Sequence, residues 1–257
     1  ESRSESVARH EYYLSNHLGL KPEMKCLDIG CGVGGPMQNI ARFSGAQVVG
    51  INNHEYQVKV GTQLIKKRGM GKLCSFFKSN FMKIDQPDNS FDAAYAIEAT
   101  CHAGDRVGCY AEILRLLKPG SKFAAYEWCM TDKYDPKNPK HVEIMQDIMK
   151  GDGLPEILST GEVVEAMKKA GFVDVQFQDL ALVTDEQPVP WYQPFVQPFS
   201  FTSMQAVAQS YLGIKLCYAA ITLSEKVGLV PKGSVASYSV LMDAARGLRG
   251  GGETGIF

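Results

Sequence analysis

LDIGCGVGGP, residues 27–36, holds a strand end, a glycine-rich bend and a helix start in ten consecutive positions. Cys26 to Ile29 is a short apolar run and reads as a strand. Gly30, Gly32 and Gly35 then satisfy the spacing G-x-G-x-x-G, and Pro36 suits the first turn of a helix that continues through Met37 to Phe43 with Ile40 and Phe43 inward. A glycine bend in this place brings backbone close to a ligand at a helix N-terminus, or it is a tight turn that binds nothing.

Outward from this bend the chain alternates. Ser4 to Leu18 precedes it as a helix with Val7, Leu14 and Leu18 near helical spacing, broken at Lys21-Pro22. Gln47 to Ile51 is a second strand, Glu55 to Arg68 a helix, and Cys74 to Phe77 a third strand. A turn at Pro87 to Ser90 leads into a fourth strand, Phe91 to Ile97. A helix from Asp105 to Leu117, with Ile113, Leu114 and Leu117 on one side, is followed by the turn Lys118-Pro119-Gly120 and a fifth strand, Lys122 to Trp128. A helix from Thr160 to Ala170 stops at Gly171 before a sixth strand, Val173 to Leu180. Strands alternating with helices predict βαβ units, hence a doubly wound, Rossmann-like α/β domain with a mostly parallel sheet. One domain is expected, with its core over residues 20–181. Two stretches stand outside the alternation: an insertion at Tyr134 to Leu158, with a short helix near His141 to Met149, and a C-terminal segment over 182–257. The latter carries Trp191, Tyr192, Phe195, Phe199 and Phe201, and such segments commonly form a wall or lid over the ligand.

Three features separate S-adenosylmethionine from a dinucleotide as the guest of the bend. Asp28, two residues before Gly30, attracts the ammonium of an amino-acid ligand and repels a pyrophosphate. Dinucleotide enzymes usually place an acid at the end of strand two, where this chain has neutral Asn52 and Asn53. The words Asn89-Ser90-Phe91-Asp92 and Leu117-Lys118-Pro119-Gly120 are typical of methyltransferases. The expected cofactor contacts are Asp28, Gly30, Cys31, Gly32, Gly34, Asn52, Asn53, Gln57, Asn80 just after Ser79, Phe81 and Ile97. Asn52 has a second reading, as the N-cap of a capping box completed by Glu55.

Composition narrows the partners. The 257 residues are 45% hydrophobic and 21% charged with a formal net charge of -1, so no basic field for nucleic acid exists. The most apolar run, Tyr211 to Leu223, is interrupted by Lys215 and is too short to span a bilayer. The seven cysteines show no CxxC pair and read as free thiols in a reducing compartment; Cys101, His102 and Cys109 lack zinc spacing, so no metal is expected. The chain starts at Glu1 rather than Met, as a fragment or processed product would.

LDIGCGVGGP (27–36), INNHEYQV (51–58), NSFDAAYAIEATCHA (89–103), YEWCMTDKYDPKNPKH (126–141) and GGETGIF (251–257) together resemble the sterol C-24 methyltransferases over nearly the whole chain. That resemblance implies methylation of a sterol side-chain double bond by S-adenosylmethionine. Two departures stand out: Gly104 follows CHA where the family commonly has Pro, and the chain ends at GGETGIF where the family continues into a final strand. A sheet lacking its last strand, or supplying it some other way, is therefore expected.

Methyl transfer to an alkene is catalysis by positioning, and it leaves a carbocation that must be kept from water, stabilised and deprotonated. Tyr95, Glu98 and His102 lie at and beyond the end of strand four, where open α/β sheets bind ligands. Glu98 is read as cofactor or cation contact and His102 as base; helix capping and a structural histidine are the bland alternatives. Tyr126 and Trp128 face one side of strand five and Glu127 the other, with a core role as open as cation stabilisation for the two aromatics. Asp132 and Tyr134 suit a sterol entrance. The sequence accommodates a homo-oligomer and peripheral membrane contact, on the cytoplasmic face of the endoplasmic reticulum or from the cytoplasm. A methyltransferase for a tocopherol precursor or phosphoethanolamine, and an inactive lipid-binding relative, are the competing readings.

Overall fold

The computed structural model describes residues 3–182, 190–193 and 211–257. Two compact units emerge, Glu1–Trp128 with Glu162–Val175, and Cys129–Gly161 with Gln176–Phe257. The insertion and the C-terminal segment, expected as separate additions to one domain, thus group into the second unit.

In the first unit, helix α1 (Arg3–Leu18) leads to β1 (Lys25–Ile29), α2 (Gly35–Ser44), β2 (Gln47–Asn52), α3 (Glu55–Lys67) and β3 (Cys74–Lys78). Then come β4 (Phe91–Ile97), a 3-10 turn (Thr100–His102), α4 (Arg106–Leu116) and β5 (Leu117–Tyr126). The five strands are parallel in the order β3-β2-β1-β4-β5. Their apolar runs match burial on both faces: Cys26, Leu27, Ile29, Val48, Ile51, Ala93, Ala94 and Ala96 are all enclosed. The chain builds outward from β1 through β2 and β3, then crosses to lay β4 on the other side of β1. That reversal opens a crevice beyond the carboxyl ends of β1 and β4. In the ladders around it, Asp28 pairs with Gly50 on one side and Tyr95 on the other.

Several local expectations are corrected. Helix α1 buries Glu11, Leu14, Ser15 and Leu18, while Val7 is exposed, so its inward face carries a carboxyl where an apolar residue was read. Phe43 is exposed and stacks on Tyr12 with centroids 4.4 Å apart. Helix α4, capped by Asp105 accepting from the Gly108 N–H at 2.9 Å, ends at Leu116 and buries Cys109, Tyr110, Ile113 and Leu116. Strand β5 starts at Leu117, absorbs the Lys118-Pro119-Gly120 turn as a register shift opposite Phe91 to Ala93, and ends at Tyr126, two residues before Trp128. Val173 to Leu180 forms no strand. Asp174 turns the chain at φ 53, Val173 and Phe177 stand exposed, and among the described residues no strand ladder reaches this stretch. Among the described residues the sheet has five strands, one fewer than the six read from the sequence.

In the second unit α5 (Pro139–Asp152) is capped by Asn138, whose side chain accepts from the Lys140 N–H at 3.0 Å. It is longer than the short helix expected at 141–149. Helix α6 (Thr160–Ala170), which belongs to the first unit from Glu162 on, has the bounds the sequence predicts. Helices α7 (Tyr211–Lys226) and α8 (Ser234–Thr254) complete the chain. Small residues let α5 and α8 approach closely: Gly151 lies against Ala244, and Gly247 against the Ile148 backbone. Arg246 grips Asp147 at 2.6 and 2.7 Å, and Lys150 pairs with Asp243. Glu225 fastens the α7–α8 turn, accepting from the Gly233 N–H at 3.1 Å and the Val235 N–H at 2.7 Å. Of the expected aromatic cluster, Trp191 and Tyr192 meet edge to face at 5.8 Å and Trp191 meets Phe257 at 6.0 Å; Phe195, Phe199 and Phe201 lie outside the described residues.

Candidate active site

The glycine bend is built by exclusion on one side and openness on the other. Gly30 holds φ 70, and a Cβ there would run into Ala99. Gly32 holds φ 55 with nothing within 4 Å of the space a Cβ would fill, so its backbone borders open room. Cys31 ties the bend to β2, its N–H donating to the Ile51 carbonyl at 3.0 Å. Asn52 completes the tie. Its amide donates to the Gly32 carbonyl at 3.3 Å and to Gln57 Oε1 at 2.6 Å, and its Oδ1 accepts from the His54 N–H at 2.9 Å. No Asn52–Glu55 capping box forms: His54 is the N-cap of α3, and Glu55 pairs with Lys78 at 3.0 Å. Asn52 is buried and fully engaged, which leaves exposed Asn53 as the amide facing solvent at the end of β2. Asn80 and Phe81 follow β3, Asn80 exposed with Oδ1 on the Met82 N–H at 2.9 Å, Phe81 half-buried; Ile97, also half-buried, ends β4.

Beneath the bend lies an enclosed acidic group. Asp28 is 3% exposed, and burial pushes its carboxyl up to about 7, with the Tyr95 hydroxyl opposing the shift and the Glu11 charge adding to it. Neither Asp28 Oδ2 nor the Tyr95 hydroxyl makes a well-formed hydrogen bond, although they are neighbours across paired strands. Glu11 reaches in from α1, accepts from Asn39 Nδ2 at 2.7 Å, and is likewise raised by burial. No salt bridge joins Asp28 or Glu11 to a cation among the described residues. Two buried acids and an unsatisfied oxygen below an open glycine fit a positively charged guest such as S-adenosylmethionine, whose sulfonium and ammonium supply the missing charge. Sequence reading missed Glu11. Its signal was present, since it falls three and seven residues before Leu14 and Leu18 on the buried face of the helix.

The structure relocates two candidate catalytic tyrosines. Tyr95 is fully enclosed in the core beside Asp28, so it sets that carboxyl's surroundings and presents no face to a sterol. Tyr126 is claimed by α1: its ring stacks on His10 with centroids 3.7 Å apart, and its hydroxyl donates to the His10 carbonyl at 2.8 Å. Trp128 is half-buried beyond the strand end. Asp132, exposed, and Tyr134, stacked near His141, belong to the second unit.

Glu98 and His102, by contrast, both stand exposed just beyond the carboxyl end of β4. The Glu98 N–H donates to the Tyr126 carbonyl at 2.9 Å, after which the chain turns through φ 52. Below the turn, Glu127 accepts from Thr100 Oγ1 at 2.7 Å, the Tyr110 hydroxyl at 3.0 Å and the Cys101 N–H at 3.1 Å. Buried Arg106 donates to the carbonyls of Cys101 and Ala103, both at 2.7 Å, and of Thr100. Burial raises the Glu127 carboxyl, while these donors and the Arg106 charge oppose that shift.

Comparison with known proteins bears on this geometry. Residues 27–125 match the family model described as a methyltransferase domain, and residues 204–257 the one described as the sterol methyltransferase C-terminal region. The chain is 48% identical over its whole length to a cycloartenol-C-24-methyltransferase of Arabidopsis thaliana, covering 75% of that protein. It is 45% identical to a sterol 24-C-methyltransferase of Yarrowia lipolytica, covering all of this chain and 68% of that one. Among solved structures, a geranyl diphosphate C-methyltransferase from Streptomyces coelicolor, complexed with S-adenosyl-L-homocysteine, superposes with TM-score 0.65 at 20% identity over 81% of this chain and 74% of its own. At that identity the likeness supports the fold alone.

Proposed function

This chain belongs to the sterol 24-C-methyltransferase family, and we propose how its residues divide the work of methylating a sterol side-chain double bond at C-24. The observation that carries the proposal is a buried acid with an unsatisfied oxygen near the carboxyl end of β1, with Glu98 and His102 exposed just beyond the carboxyl end of the neighbouring strand β4. S-adenosylmethionine, when bound, supplies a methyl group on a positively charged sulfur. Asp28, backed by Glu11, supplies the negative potential that retains a cationic guest. The backbone from Gly30 to Gly34 borders the guest where Gly32 leaves room, and Asn53, Gln57, Asn80, Phe81 and Ile97 receive its adenosine end. Asn52 keeps the bend and α3 in register.

The alkene carbon that gains the methyl leaves its former partner carbon cationic. Glu98 stabilises that charge on the sterol side chain, and His102, exposed beside it, accepts the departing proton and returns it to solvent. Because a sterol is insoluble in water, we also propose peripheral membrane contact, at the cytoplasmic face of the endoplasmic reticulum or from the cytoplasm. The exposed Leu223, Val227 and Leu229 beside Lys226 and Lys232 support it. Among the described residues no helix is long and apolar enough to cross a membrane.

The test is incubation with methyl-labelled S-adenosylmethionine and a panel of Δ24-sterols, followed by mass analysis. Label recovered in the sterol side chain is the expected result. Transfer only to a polar acceptor such as phosphoethanolamine, or sterol binding without transfer, would overturn it.

A further inference from the structure

We infer that Glu127, with Arg106, is a positioning residue that holds the turn between β4 and α4 so that Glu98 and His102 stand together at the crevice. The inference rests on the roles proposed above for those two side chains. A non-glycine residue in the left-handed region, as Glu98 is, persists where its surroundings over-determine it. Here they do, residue by residue. Glu98 is fixed by its N–H on Tyr126, and Ala99 is wedged against Gly30. Thr100 and Cys101 both donate to Glu127, and the carbonyls of Thr100, Cys101 and Ala103 all accept from Arg106. The stretch between the two exposed groups is therefore tied down at the Thr100 hydroxyl and carbonyl and at both backbone groups of Cys101, and Glu127 reaches it from just past the end of a different strand. Tyr110 adds a donor from α4, so one carboxyl just past the end of β5 joins the turn and the helix.

A buried acid could instead act on the sterol cation through its charge. The hydrogen-bond geometry separates the two ideas. In Glu127→Gln, the amide oxygen still accepts from the Cys101 N–H, and the amide nitrogen faces two hydroxyls that rotate to accept from it. The clamp survives without its charge. In Glu127→Ala the three donors lose their acceptor together.

The experiment measures turnover and the accessibility of Cys101 in the same proteins. Cys101 is 2% exposed and its thiol is pushed up to about 12 by burial and the neighbouring Glu127, so it resists alkylation while the turn is closed. Glu127→Ala should lower kcat about 100-fold, as misplacement by about an ångström does, with a much smaller change in KM for S-adenosylmethionine. Iodoacetamide labelling of Cys101, read by peptide mass mapping, should rise at least about tenfold in that variant. Glu127→Gln should restore both readouts to near the parent values. Tyr110→Phe, which keeps the ring and removes one donor, should shift both readouts in the same direction by a smaller factor and covers the case in which the alanine variant fails to fold. Glu127→Gln as slow as Glu127→Ala, with Cys101 still protected, would overturn the positioning role in favour of charge. So would an opened Cys101 with unchanged kcat. If Glu98→Gln and His102→Ala both turn over normally, the underlying catalytic reading fails, whatever the Glu127 variants do.

Discussion

Replacing Asp28 with Asn tests the acidic floor of the crevice. In the folded protein its carboxyl titrates at about 7, whereas an unfolded chain releases that proton near pH ~4. Between these values the folded state holds a proton that the unfolded state has lost, so stability falls as pH climbs from about 4 to about 7 and levels off above. Three units at 1.36 kcal/mol each give an upper bound of roughly 4 kcal/mol. The groups facing Asp28 are Glu11 from α1, Tyr95 from β4, and Cys26 and Cys31 from its own strand and bend; none is a cation, and burial is the dominant cause of the shift. The Asn variant removes the ionisable group but keeps the shape. By thermal denaturation without ligand, it should lose most of the slope between pH 5 and 7 and melt up to about 10 °C above the parent at pH 7.5. Binding should move the other way. A cationic guest re-ionises Asp28, so at pH 7 the parent should release about half a proton on binding S-adenosylmethionine, read by calorimetry in buffers of different ionisation enthalpy, and its affinity should rise with pH from 5.5 to 7. Asp28→Asn should release none and bind at least tenfold more weakly, about 1.4 kcal/mol. A variant with parental slope, proton release and affinity would refute the argument.

Other consequences are as direct. His102→Ala should cut kcat by roughly 100-fold or more with little change in S-adenosylmethionine affinity, and Glu98→Gln should lower both; single-turnover kinetics and equilibrium dialysis separate the two. Asn52→Ala frees the Gly32 carbonyl, Gln57 and the His54 N–H at once, and should weaken cofactor binding about tenfold by calorimetry, at roughly 1–3 kcal/mol of stability in denaturant titration. Gly30→Ala combines positive φ with collision against Ala99, and should abolish cofactor binding or lower the melting temperature by several degrees. Leu223, Val227 and Leu229 changed together to Ser should reduce co-flotation with sterol-containing vesicles while leaving turnover of detergent-dispersed sterol near the parent rate.

The parallel sheet was legible in the sequence because its signals are local. Apolar runs of strand length, the glycine bend at 30–35 and the helices between them are set by neighbours a few residues apart. What escaped depends on partners distant in the chain. Glu11 reads as one more charge on an amphipathic helix until Asn39 and Asp28 are brought beside it. Glu127 reads as the polar member of an alternating strand until Thr100, Cys101 and Tyr110 converge on it. Asn52 does not cap α3 as its spacing suggests, because its engagement with Gly32, Gln57 and His54 is a tertiary event that a capping rule based on spacing cannot see. Val173 to Leu180 has the composition of a strand, yet among the described residues no strand ladder reaches it. Tyr95 and Tyr126 sit on the predicted fourth and fifth strands, yet which side of the sheet is covered by α1 is not written in their spacing.

The glycines at the α5–α8 crossing bear on how this protein could be made more heat-resistant. Exchanging glycine for alanine in a helix ordinarily raises stability by reducing the freedom of the unfolded chain, by roughly 0.5–1 kcal/mol. At Gly151 and Gly247 the added methyl would strike Ala244 and the Ile148 backbone, so the same exchange would wedge the helices apart. Gly161, in the first turn of α6 with no neighbour within 4 Å of a Cβ and no positive φ, is where an engineer should begin.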